Sequence, residues 1–287
     1  MDFLGTPIGY ILNFIYSIVS NYGITIIIVS LLFKLIILPL TIKQQKSMAA
    51  MQQIQPLITE IQKKYANDKE KQSAEMMKIY QEYNVSPFAS CLPTLIQFPI
   101  VIGLYGAIAR PLKFMFGFSA TQIEQIGKIV GISAKASPYS YEIAMAKAAS
   151  QPEFLSKVQE IIPQFKPMDF DFFGLDLSLT PSFAVISIIW ILPAVAAILT
   201  YLSSYFMQKD TNTSSEMQSS QKMMTYFMPV MILFFGFQVP AGLSLYWSVN
   251  SILQIVQYFT LDKNIKRNLA SEIAVKSASI ESKKKRR

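Results

Sequence analysis

Residues 22–42 read YGITIIIVSLLFKLIILPLTI, an apolar run whose one charged side chain is Lys34. A helix needs roughly 20 mainly apolar residues to cross the hydrocarbon core of a bilayer, so this run predicts a transmembrane helix. Working outward, the same pattern recurs at 91–110, at 183–207 and across 223–261. The last block is too long for one crossing and is broken at Val239-Pro240-Ala241-Gly242. It predicts a tight hairpin with spans at 223–239 and 242–261. Residues 1–21 are apolar as well, with Asn13, Tyr16 and Ser17 interspersed. So little chain separates them from Tyr22 that they are read as a helix lying in the outer interface, not as a sixth crossing.

Composition agrees with burial in lipid. Of 287 residues, 52% are hydrophobic and 15% charged, whereas a water-soluble domain carries about 25% charged residues. Histidine is absent and Cys91 is the single cysteine. A Ser-His-Asp triad, a Cys-His pair and a His-bearing zinc site are therefore excluded, as is an internal disulfide. No GxxxxGK[ST] loop occurs, so nothing points to nucleotide hydrolysis. The expectation is a protein that is not an enzyme and uses no cofactor or metal. Residues 1–33 hold no Lys or Arg, which argues against a cleaved signal peptide or an Arg-rich transit peptide. The absence of an early Cys argues against a lipoprotein anchor.

Lys and Arg set the orientation, since cytoplasmic segments carry the basic excess. The 43–90 segment has seven lysines and the 262–287 tail nine basic residues, ending Lys283-Lys284-Lys285-Arg286-Arg287. Both are assigned to the cytoplasm, with 208–222 as a second cytoplasmic loop. The N-terminus and the long 111–182 loop fall outside. That loop balances six lysines against seven acids and is assigned no role.

Lys34 lies well inside the first span, about 12 Å of helix from Ile42. An intramembrane ionisable residue marks function by default, and no Asp or Glu occurs in any of the five spans. Either the amine snorkels to the inner interface or it sits in a hydrated cavity. Other spans carry polar stripes at helical spacing: Trp247, Asn250, Gln254 and Gln257; Thr94, Gln97 and Tyr105; Thr200, Ser203 and Met207; Ser30, Lys34 and Thr41. Each stripe fits interhelical hydrogen bonding, worth about 0.6 kcal/mol per contact, or a shared hydrophilic groove. The residues alone leave both readings open. Prolines 39, 93, 99, 193 and 229 break backbone hydrogen bonds that neighbouring groups or water must replace.

Residues 44–83 predict two antiparallel helices. Met48, Met51, Ile54, Leu57, Ile58, Ile61 and Tyr65 form one stripe, and Met76, Met77, Ile79, Tyr80 and Tyr83 the other. Asn67-Asp68 supplies the turn and an N-cap. The stripes pack the helices together. The flexible methionines Met48, Met51, Met76 and Met77 also suit a surface that meets varied hydrophobic sequences. Lys283, Lys284 and Lys285 suit anionic lipid headgroups or RNA phosphates.

Several of these stretches resemble the YidC-type insertase family, with its Oxa and Alb relatives in mitochondria and chloroplasts. They are Phe33-Lys34-Leu35-Ile36-Ile37-Leu38-Pro39-Leu40, Lys46-Ser47-Met48, Gln55-Pro56-Leu57, Lys64-Tyr65 with Asp68 and Lys71, and Ser86-Pro87 through Cys91-Leu92-Pro93. Gln97-Phe98-Pro99-Ile100, Met228-Pro229 and Pro240-Ala241-Gly242-Leu243-Ser244-Leu245-Tyr246-Trp247 with Asn250 complete the pattern. The resemblance implies an all-α polytopic membrane protein, five transmembrane helices enclosing a hydrophilic groove, plus a cytoplasmic helical hairpin. It implies a basic residue in the groove at Lys34, where most relatives have Arg, and a groove-lining aromatic at Trp247. Ser203 matches a further lining position, often Gln in relatives. With Gln97 and Asn250 these make the expected substrate groove. Implied partners are nascent membrane proteins and the bilayer, with the ribosome and the Sec translocon as further candidates and no DNA. The absence of a large outer domain resembles Gram-positive members, which implies a bacterial plasma membrane location, N-terminus outside and C-terminus cytoplasmic. The rival reading is a polytopic solute or ion transporter. The lack of intramembrane acids and of an obvious inverted repeat weigh against it. An intramembrane serine protease built on Ser244 has no His to activate it.

Overall fold

A computed structural model describes residues 2–83, 85–86, 92–133, 141–208, 215–265, 268 and 271. It opens with α1 (Asp2–Val19) and α2 (Tyr22–Lys64), and the two residues between them explain why there are two helices. Ser20 takes a left-handed φ of 53° and donates its N–H to the Tyr16 carbonyl, closing α1. Asn21 accepts the Ile24 N–H on its side-chain oxygen at 3.1 Å and so caps the start of α2.

At 43 residues, α2 is about 65 Å long, twice the hydrocarbon thickness. The expected first span and the first hairpin helix thus belong to one continuous run of helix, with Pro39 and Pro56 inside it. After the turn at residues 65–68, Asp68 accepts the Lys71 N–H and starts α3 (Lys69–Glu82). Ile54, Ile58 and Val85 form a small core, with Met51, Met76, Ile79, Tyr80 and Tyr83 packed on it.

Helix α4 (Leu92–Ala109) leads into the segment expected to be a long loop. Instead it holds α5 (Pro111–Phe114), α6 (Ala120–Val130), α7 (Tyr141–Ala149), α8 (Pro152–Ile161) and an antiparallel pair, β1 (Asp171–Phe172) with β2 (Leu175–Asp176). The local signals are ordinary ones. Ser119 and Gln122 make a reciprocal capping box at the start of α6, and Gly131 at φ 72° ends it. Leu112, Met115, Ile126, Ile143, Ile162 and Phe165 are fully buried in one cluster with Leu12, Tyr22, Ile26, Leu104 and Ile108. Small residues set the closest approaches. A Cβ on Gly9 of α1 would run into the Phe114 carbonyl, and one on Gly23 of α2 into the Phe172 ring.

A short 3-10 turn (Ile188–Trp190) precedes α9 (Ile191–Gln208); α10 (Ser215–Gly236) and α11 (Ala241–Gln257) follow, and α11 runs into a π-helical turn (Tyr258–Asp262). The third apolar block was expected to be helical from residue 183, but helix begins at Ile188. Phe183 stacks on Phe237 at 3.9 Å and the Trp190 indole N–H donates to the Ser182 carbonyl, which holds residues 183–187 out of the helix. Conversely, α10 begins inside the stretch read as the second cytoplasmic loop. Two helices among the described residues, Tyr22–Lys64 and Ile188–Gln208, are long and apolar enough to cross a membrane. Shorter apolar stretches occupy Gly5–Val19, Phe98–Ala109 and Thr225–Gly236.

The chain divides into two compact units. One comprises Met1–Lys34, Gln97–Tyr201 and Phe227–Leu253; the other comprises Leu35–Ile96, Leu202–Tyr226 and Gln254–Arg287.

Candidate functional site

Burial along α2 separates two faces. Tyr22, Ile26, Val29 and Ser30 are buried, whereas Ile24, Ile28, Leu31 and Leu35 are exposed. At 100° per residue the exposed set centres on one side of the helix. Lys34 lies about a quarter turn from that centre, one turn beyond Ser30. It is half-buried. Its side chain therefore leaves the helix at the border of the two faces, between buried Ser30 and exposed Leu31. Ser30 itself spends its hydroxyl on the Ile26 carbonyl at 2.6 Å.

Helix α11 shows a similar division. Ser244, Ser248 and Ser251 form a buried stripe. Trp247 and Asn250 are half-buried on a flank of that stripe, on the side of the helix away from exposed Ile252 and Val256. Trp247 packs against the main apolar cluster. The serines bind helices and backbone together: Ser251 and Thr200 of α9 share a hydrogen bond of 3.1 Å, and Ser248 donates to the Ser244 carbonyl. Some of the polar stripes thus serve helix packing, as interhelical hydroxyls commonly do. The structure puts Lys34, Trp247 and Asn250 in the first unit. Ser203 is buried in the second unit. Gln97 belongs to α4, but its side chain and that of Thr94 lie outside the described residues.

The four methionines also divide. Met51 and Met76 pack into the hairpin core, and Met48 is half-buried. Met77 is 48% exposed. Lys283, Lys284 and Lys285 lie outside the described residues.

One set of residues was missed in the sequence. The segment 169–179 reaches the starts of two helices at once. The Tyr22 N–H donates to the Asp169 carbonyl at 2.9 Å, while Asn21 donates its amide to the Asp171 carbonyl at 2.7 Å. The Ala241 and Gly242 N–H groups donate to the Leu179 and Leu177 carbonyls at 2.8 and 3.0 Å. Backbone carbonyls of the strap therefore satisfy donors that the first turns of α2 and α11 would otherwise leave unpaired. Behind it, the buried Tyr22 hydroxyl donates to the Ile108 carbonyl at the end of α4 at 2.7 Å. The strap closes over the N-terminal ends of α2 and α11 and the C-terminal end of α4. Asn21 as a cap was a legible signal; the Phe173-Gly174 turn, which lacks the usual Asn-Gly, and the carbonyl pairing were not.

A second tie joins the 111–182 segment to α4. Glu142 is fully buried, and its carboxylate accepts Arg110 Nε at 2.6 Å, the Lys113 N–H at 3.1 Å and the Tyr141 hydroxyl at 3.1 Å. Burial, and then the Glu142 charge, raise the Tyr141 phenol above its ordinary value.

Residues 14–268 match a family described as 60Kd inner membrane protein. The chain is 30% identical over 257 residues to membrane protein insertase YidC of Fusobacterium nucleatum, covering 89% of this chain and 94% of that one. It is similarly 30% identical to membrane protein insertase YidC 2 of Listeria innocua, over 96% of this chain and 76% of that one. Membrane protein insertase YidC of Actinobacillus pleuropneumoniae is 32% identical over 92% of this chain, which spans 38% of that longer protein.

Proposed function

Since the chain belongs to the 60Kd inner membrane protein family, we propose that it is a membrane protein insertase of the bacterial plasma membrane, working through a polar groove and without nucleotide hydrolysis. Five helices cross the bilayer, at 22–42, 91–110, 183–207, 223–239 and 242–261, with the N-terminus outside and the C-terminus in the cytoplasm. The observation that carries the groove is the position of Lys34. A cation at the edge of the buried face of α2, flanking the lipid-facing side, suits a wet recess better than hydrocarbon, where a charge costs a few kcal/mol even on lenient scales.

A nascent chain first meets the cytoplasmic hairpin, with Met77 as its exposed thioether contact. The short outer segment of the client then enters the groove. Lys34 attracts its carboxylates, while Gln97, Asn250 and Trp247 ease the passage of its polar backbone. The strap over the outer helix ends keeps that recess from becoming a continuous pore. Burial of the client's apolar helix in lipid, at about 25 cal/mol per Å², drives release. The basic tail adheres to anionic lipid, with the ribosome and the Sec translocon as candidate neighbours. The three relatives described above are insertases, so the transporter reading gains no support from them.

Purified protein in liposomes should insert a small single-span client with a short acidic outer segment. Lys34→Glu should abolish insertion and Lys34→Arg should preserve it. Undiminished insertion by the Glu variant would rule out the electrostatic step. A photocrosslinker at position 34 should capture stalled nascent chains.

A further inference from the structure

The tip of the β1–β2 hairpin is built in a way that packing within the chain does not explain. The register pairs Asp171 with Asp176 and Phe172 with Leu175, which leaves Phe173-Gly174 as a two-residue turn. Both residues have positive φ, 54° and 80°. This is the type I′ geometry, which strongly prefers Asn-Gly. A phenylalanine at the first position is strained, because a bulky side chain in the left-handed region is an outlier. Burial does not offset that strain. Phe173 is 90% exposed, with its ring edge-on to Phe172 at 4.8 Å.

Neighbouring contacts fix where this ring is held. Phe172 fills the notch over Gly23, and the Asn21 amide grips the Asp171 carbonyl, so the turn hangs beside the first turn of α2. On that stretch of α2, Ile24 and Ile28 are exposed. A second bare apolar stretch leads directly into α9, where Ile186 is 85% and Ile188 74% exposed. Each stretch continues the exposed apolar surface of a helix long enough to cross a membrane.

We propose that the Phe173 turn, with the irregular segment at Ile186, is a lipid anchor that inserts into the outer leaflet at the boundary of headgroups and acyl chains. It rests on the membrane placement of α2 and α9 given above. Continuity with lipid-facing helix surfaces favours a bilayer over a protein partner, since an aromatic ring at this depth removes its apolar area from water without leaving the chain it belongs to. The anchor also holds the strap: a hairpin seated in lipid keeps Asp169 and Asp171 against the start of α2.

The test uses the full chain with Cys91→Ser and single substitutions Phe173→Cys, Ile186→Cys, Ile28→Cys and Lys157→Cys, each carrying an environment-sensitive fluorophore. The variants are reconstituted in phosphatidylcholine vesicles containing a lipid nitroxide-labelled near the headgroup. Labels at 173 and 186 should lose most of their emission to the nitroxide lipid and resist aqueous iodide, while the label at 157, on an exposed site of α8, should do the reverse. Iodide quenching at 173 and 186, with the label at 28 quenched by lipid, would overturn the anchor and leave the membrane placement standing. Protection at 173 from both quenchers would point to a protein cover and overturn it equally. A label at 28 that escapes the lipid quencher would bring down the membrane placement and the anchor with it.

Discussion

Replacing Glu142 by alanine removes the group that ties α7 to α5 and to Arg110 at the α4–α5 junction. The fully buried carboxylate accepts Arg110 Nε, the Lys113 N–H and the Tyr141 hydroxyl. Truncating one partner of a buried ion pair costs about 3–5 kcal/mol, because the other charge is left without compensation. Arg110 is 37% exposed, so water can reach the abandoned guanidinium, and the cost falls to the lower end of that range. The Lys113 N–H has no such escape if the site stays closed, and an orphaned buried donor costs roughly 1–3 kcal/mol. Together these place Glu142→Ala at about 3 kcal/mol, the two contributions overlapping within one network. Denaturant titration of the purified protein in micelles, followed by Trp190 and Trp247 fluorescence, would measure it. Arg110→Ala should be comparably damaging, since it strands a fully buried carboxylate. The double variant should cost at least about 1 kcal/mol less than the sum of the singles. Additive losses, or a Glu142→Ala cost within the ±0.5 kcal/mol typical of surface substitutions, would refute the assignment of these groups as a coupled buried pair.

Other outcomes follow from the same geometry. Tyr22→Phe leaves the Ile108 carbonyl without its 2.7 Å donor and should cost about 1–3 kcal/mol in the same titration. Gly9→Ala drives a methyl into the Phe114 backbone and should destabilise by about 1–3 kcal/mol or prevent folding; a neutral result would mean α1 does not pack there. Met51→Ala should loosen the α2–α3 hairpin, read as faster proteolysis within 43–83, whereas Met77→Ala should leave proteolysis unchanged and reduce crosslinking to the proposed nascent-chain clients. The Tyr141 phenol is raised in the folded state, so its contribution to stability is complete below its unfolded value near 10 and declines as pH rises beyond that. Tyr141→Phe should flatten the alkaline part of the stability profile, and an unchanged slope would contradict the shift.

How much of this is legible in the sequence depends on the range of the interaction. The apolar helices that begin at Tyr22 and that run to Gln208, the turn and cap at Asp68 and the helix break near Pro240 are written in local composition, because a helix is specified by residues three or four apart and by the groups that end it. Family membership was legible too, from Phe33 through Leu40 and from Pro240 through Trp247, which lie within single helices or their caps. Local pattern failed where a short-range preference met a distant partner. Residues 183–187 have the apolarity of a span yet stay outside the helix, since Phe183 finds Phe237 and the Ser182 carbonyl finds Trp190. The 111–182 segment looked like a mere connection because its value lies in carbonyls at 169, 171, 177 and 179, and every residue type carries a carbonyl. Side-chain chemistry can be read from the chain one letter at a time, whereas the pairing of one backbone with another is settled only when the helices have been brought side by side.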